Sequence, residues 1–133
     1  MLSISKTDPV TNTEQPNSSS GTPLFAILPT TGTYIKLPIN QIAVVKYIIR
    51  NNAVRTLNFD QVKPIAGVKA IVDQDDNCII PQPLASNESC ILSLAIEANN
   101  MINNISSGPQ ICSGVLNCYT PSIQDQLNIE KLE

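Results

Sequence analysis

The residues of this chain with the most chemistry in them are four cysteines, Cys78, Cys90, Cys112 and Cys118, set in two close pairs. An even count at short spacing in a small chain rich in β-branched residues fits a disulfide framework, and with it an oxidising compartment. Local pairing, Cys78 with Cys90 and Cys112 with Cys118, is the leading arrangement. Four cysteines allow three connectivities, and spacing alone leaves the crossed ones open. The rival reading is a four-thiolate zinc site. Structural zinc draws on knuckles of about two to four intervening residues, so the eleven and five found here fit it poorly.

The other chemical groups are sparse. There is no histidine in the 133 residues. That removes the commonest general base, the Ser-His and Cys-His nucleophile arrangements, and the commonest transition-metal ligand. Asp73-Gln74-Asp75-Asp76-Asn77 is a carboxylate cluster that could offer oxygens to calcium. It lacks the glycine and distal glutamate of an EF-hand loop. A solvated turn whose Asp and Asn side chains bond their own backbone is the preferred reading. The five glycines form no phosphate-cradling loop. The expectation is a chain that is not an enzyme and needs no cofactor or metal.

The elements that must position these residues read as strands. Residues 1–22 are dominated by Ser, Thr, Asn, Pro and Gly and carry no apolar periodicity, so a flexible tail or linker is expected there. The ordered domain is expected over 23–133. It opens on a short run bracketed by Pro23 and Pro29, followed by another at 34–37. The longest strand is predicted at 41–50. Its alternation puts Ala43, Val45, Tyr47 and Ile49 on one face, and Ile42, Val44, Lys46, Ile48 and Arg50 on the other. The second face is apolar apart from its two cations, so it is either covered or offered to a partner, with covering favoured. Further strands are predicted at 54–59, 68–72, 79–80, 90–96 and 126–129, with one or two helical turns within 97–105. Short strands punctuated by Pro, Gly and Asn predict an all-β, antiparallel β-sandwich.

Composition narrows the partners. The net charge of −3 argues against a nucleic-acid binder, and five aromatics without tryptophan make a poor stacking or sugar platform. No apolar run approaches a membrane span. The charge is uneven along the chain. Residues 30–70 hold six basic residues against Asp60 alone, whereas 71–133 hold eight acids against Lys131 alone. Strands that interleave on folding need not preserve this as two patches. No apolar signal core follows basic residues at the start, so export would imply a longer precursor.

Several segments, taken in order, resemble a known family. Ala43-Val44-Val45-Lys46-Tyr47-Ile48-Ile49-Arg50-Asn51 is similar to the x-V-x-Y-x-V-x-N strand of bacterial immunoglobulin-like domains of the hydin type. Pro64-Ile65-Ala66-Gly67-Val68 follows as it does there. Cys78, Pro83, Leu84, Ser89, Cys90, Leu92 and Leu94 match the next segment. Gly108-Pro109-Gln110-Ile111-Cys112 and Cys118-Tyr119-Thr120-Pro121-Ser122 resemble the ending of an exported subset found in intracellular Gram-negative pathogens. The resemblance covers about residues 38–129. It implies an immunoglobulin-like fold, an exported address and a virulence-associated setting, and it brings no catalytic residues. Lys46, Ile48 and Arg50 depart from it, standing where members are mostly polar. Under a bacterial reading, the N-x-S sequons at Asn17, Asn87 and Asn104 are chance matches.

Two surfaces are candidates for binding. One is the loop closed by Cys112 and Cys118, where Val115, Leu116 and Tyr119 would be apolar anchors on a preorganised loop. The other is the face bearing Lys46, Ile48 and Arg50, or an open strand edge beside it. The expected function is an exported, disulfide-bonded module of the periplasm, cell surface or secreted fraction that binds protein in an envelope assembly or on a host. A small enzyme or a small secreted enzyme inhibitor, the inhibitor using the Cys112–Cys118 loop, and a passive spacer, are the alternatives.

Overall fold

The computed structural model describes residues 24–72, 77–114 and 117–132. The tail expected at 1–22, the acidic run 73–76 and the loop residues Val115 and Leu116 lie outside them.

The chain is mostly β. Its centre is an antiparallel four-stranded sheet in the order β1–β3–β8–β6, built from Phe25–Pro29 (β1), Ile42–Asn51 (β3), Ser89–Glu97 (β8) and Val68–Ile71 (β6). β-branched residues fill β3, and its alternation is honoured: Val45, Tyr47 and Ile49 are fully buried, and Ala43 packs against the same core. The register sets Val45 opposite Leu94, Tyr47 opposite Leu92 and Ile49 opposite Cys90, so β8 turns its leucines to the same side. Phe25 and Ile27 complete that inner face from β1.

Smaller pairings supply the rest of the core. Tyr34–Pro38 (β2) runs parallel to Asn128–Leu132 (β11), and Leu57–Phe59 (β4) runs antiparallel to Gln82–Leu84 (β7). Ile111–Ser113 (β9) lies between Gln61–Val62 (β5) and Asn117–Tyr119 (β10). Leu37, Phe59, Leu84, Ile111 and Ile129 from these elements, with Leu127 just before β11, join the inner face in one apolar cluster. Fully burying each such side chain contributes roughly 1.5–3 kcal/mol.

A departure from the sequence expectation has a local cause. No strand forms at 79–80; pairing starts three residues later at β7, and the Ile79 N–H donates to the Gln82 side chain rather than to a neighbouring strand. Helical content in 97–105 is one 3-10 turn, Ala98–Asn100. That turn leads into Met101, whose backbone and Cγ lie where a Cβ on Gly67 would stand, at 2.7–3.1 Å. Gly67 also has φ of +89°, so glycine is needed there on both counts.

Asn51, at the end of β3, organises the adjacent loops. Its Nδ2 donates to the carbonyls of Arg55 and Leu84, both at 2.8 Å, and its Oδ1 accepts from the Ala53 N–H at 2.8 Å. Its backbone accepts from Asn87 and donates to Glu88, which fixes the turn into β8. Tyr47, deep in the core, donates its hydroxyl to the Asp125 carbonyl at 2.7 Å and so holds the 3-10 turn Ile123–Asp125.

Candidate functional site

The cysteines are paired locally. Cys78 bonds Cys90 and Cys112 bonds Cys118, leaving no free thiol among the described residues. The first bridge joins the segment entering at Asn77 to the start of β8. The second spans directly opposed residues of β9 and β10. Both are structural crosslinks, and neither presents a thiolate for chemistry or metal binding.

The second bridge is secured from below. The Gly114 N–H donates to Asp60 Oδ2 at 2.6 Å, next to β5. Tyr119 is half-buried, its ring set edge-on against Phe25 with centroids 5.8 Å apart. It packs against the core cluster. Of the three anchors expected for the closed loop, Val115 and Leu116 lie outside the described residues, and Tyr119 is packed inward.

The outer face of the four-stranded sheet is different. Strand register places Leu28, Ile48 and Ile91 in one row across β1, β3 and β8. The next row holds Lys46, Ser93 and Ile71, and the one after it Val44, Ala95 and Lys69. Ile42 and Glu97 close one end, and Arg50 stands beside Ser89 at the other. Ile42 is 62% exposed, Leu28 55% and Val44 45%, and none of them belongs to the core cluster. Ile48, Ile71 and Ile91 are half-buried on the same face, while Lys46, Arg50 and Lys69 are exposed. Covering was the favoured expectation for this face; among the described residues Ile42, Val44, Lys46 and Arg50 of its β3 row stand exposed instead.

The charged groups here are loosely held. Arg50 Nη2 donates to Asn87 Oδ1 at 3.3 Å, and no ion pair involves Lys46 or Lys69 among the described residues. Glu97 is half-buried and accepts from the Asn100 side chain. Ser93 is buried mid-face and donates to Asn77 Oδ1 at 2.9 Å; Asn77 Nδ2 is buried without a partner among the described residues. A shallow depression of about 310 Å³ adjoins the Ile42 end, lined by Asn40, Gln41, Ile42, Glu97, Asn99 and Asn100. Its amides are spent on one another: Asn99 Oδ1 accepts from the Asn40 N–H, and Asn99 Nδ2 donates to Asn40 Oδ1. Such a set offers hydrogen bonds to a ligand but neither nucleophile nor base.

The structure thus brings Lys46, Ile48 and Arg50 together with Leu28, Ile71, Ile91 and Lys69. Alternation within one strand identifies the first three. The others depend on which strands pair and in what register, which no local pattern specifies. Among the described residues, no three acids, cysteines or histidines gather as a metal site, and no helix is long and apolar enough to cross a membrane. Neither family models, curated proteins nor solved structures give a match to this chain.

Proposed function

We propose that the chain is an exported, disulfide-bonded, immunoglobulin-like β-sandwich that acts without catalysis, by binding protein through the outer face of its four-stranded sheet. The exposed apolar side chains Leu28, Ile42 and Val44, with the half-buried Ile48 beside them on the same face, carry this reading. With strands about 4.8 Å apart and a rise of about 3.4 Å per residue, the face is about 30 Å long and about 15 Å wide.

The fold assignment is supported by the antiparallel β1–β3–β8–β6 sheet, the β10–β9–β5 sheet and the parallel β2–β11 pair feeding one core. Two disulfides fit an oxidising environment, and thus the periplasm, the cell surface or the secreted fraction. The partner belongs to an envelope assembly or to a host surface; nucleic acid is disfavoured by the acidic balance of the chain.

Size-exclusion of native extracts from the producing organism tests the reading. The wild-type chain is expected to elute in a complex, and a Val44→Asp, Ile48→Asp variant as a free, folded monomer. Identical elution of the two would remove this face from the function.

A further inference from the structure

The outer face carries a sign as well as an apolar row. Among the described residues, Lys46, Arg50 and Lys69 project from it, against one acid, Glu97, half-buried at the end and engaged by Asn100. The whole chain, by contrast, is acidic. The face is therefore a basic, apolar surface on a molecule of opposite net charge.

We propose that this face docks an acidic, heterotypic protein partner, met as an extended strand or sheet face in which carboxylates alternate with apolar side chains. The inference rests on the protein-docking reading above and specifies the partner's chemistry. Along β3, Ile42, Val44, Lys46, Ile48 and Arg50 project on one side at intervals of about 6.8 Å, twice the strand rise. Apolar and cationic groups thus interleave with strand periodicity. The complementary surface repeats carboxylate and apolar groups at the same interval, which an extended chain does with every second residue. The lysine stems add apolar contact beneath their charged heads.

Charge decides against two other occupants. A second copy stacked on this face would set three cations against three, with Lys46 in the central row of each, and like charges juxtaposed in an interface oppose association. A lipid leaflet suits apolar side chains at a projecting tip with cations around the rim. Here Lys46 sits in the middle of a sheet face, with Val44 and Ile48 on either side of it. An acidic protein surface meets that interleaved pattern without burying an unpaired cation.

Panning a phage-displayed library of random peptides on the purified, oxidised full-length chain tests this directly. Enriched peptides are expected to alternate Asp or Glu with Val, Ile or Phe. They should bind Lys46→Glu, Arg50→Glu protein about tenfold or more weakly, with affinity that falls as salt rises. Val44→Asp should weaken them as well, while thermal melting and circular dichroism confirm that each variant is folded. Enrichment of neutral or basic peptides that still require Val44 would overturn the acidic-partner inference and leave the docking reading standing. Peptides indifferent to every face variant, or no enrichment, would overturn both. Retention on vesicles of phosphatidylglycerol and phosphatidylcholine that is lost in the charge-reversed variant would replace the protein partner by a membrane.

Discussion

Replacing Asn51 by aspartate exchanges one amide NH2 for an oxygen and should cost as much as a core truncation. The side chain is fully buried, and its shape is preserved by the substitution. The Oδ1 bond to the Ala53 N–H survives. The two bonds donated by Nδ2, to Arg55 O and Leu84 O, do not, and a carboxylate oxygen is left facing two carbonyls at the former 2.8 Å separations. Two lost hydrogen bonds contribute about 2 kcal/mol, and leaving the buried Leu84 carbonyl unpaired beside an unpaired charge adds about 1–3 kcal/mol. The expected loss is about 3–5 kcal/mol near neutral pH, a large share of the roughly 5–15 kcal/mol that holds a domain together. For a domain of this size that is a fall in Tm of about 12–20 °C. The penalty should also depend on pH. Burial against carbonyls raises the folded-state pKa of the new carboxyl above its unfolded value of about 3.9. The folded state then binds its proton more tightly, so the variant regains stability as pH falls towards about 4 and loses it as pH rises. Chemical denaturation at both ends of that range, with Asn58→Asp on the exposed side of β4 as control, reads both effects. A loss under about 1 kcal/mol, or one that does not change with pH, would refute the clamp described for Asn51.

Tyr47→Phe removes the bond to the Asp125 carbonyl and should cost about 1–2 kcal/mol in denaturant titrations. Burial, reinforced by nearby Asp125, pushes the Tyr47 hydroxyl well above its ordinary value. The unfolded chain therefore ionises first, and wild-type stability should fall relative to the Phe variant once pH passes about 10, as melting curves at alkaline pH will register. Cys90→Ser opens a loop of sequence separation 12 and Cys112→Ser one of 6, with expected losses of about 3 and about 2 kcal/mol in oxidised protein. Unchanged melting in either would deny that bridge a stabilising role. Val44→Asp, on the open face, should melt within about 1 kcal/mol of wild type, whereas Val45→Asp, one residue on and fully buried, should not fold. Equal effects at the two positions would contradict the assigned sides of β3.

Much of the architecture was legible because strand periodicity is local. Alternation in β3 put Ala43, Val45, Tyr47 and Ile49 on one face; the last three are buried, and Ala43 is half-buried against the same core. The local cysteine pairing held because short spacing already favours it. β5, β9 and β10, at two or three residues each, are too short to show a period, and they exist through partners distant in sequence. The same limit applies to the candidate site. Lys46, Ile48 and Arg50 could be read from one strand. Leu28, Ile71, Ile91 and Lys69 joined them only through the pairing of β1 and β6 with β3 and β8. The role of Asn51 was equally hidden, since Arg55 O and Leu84 O meet its amide only after the chain has folded back.

The most direct test of the central claim places a photo-cross-linking residue at Val44 and, separately, at Ile123, in the chain as made by its own cells. Ile123 is 88% exposed and belongs to the turn that Tyr47 holds from the inner side of the sheet, away from the outer face. The account predicts a discrete protein adduct at Val44, none at Ile123, and loss of the Val44 adduct when Ile48→Asp is added. Adducts of equal strength at both positions, or an adduct that survives the Ile48 change, would contradict a docking surface on the four-stranded sheet.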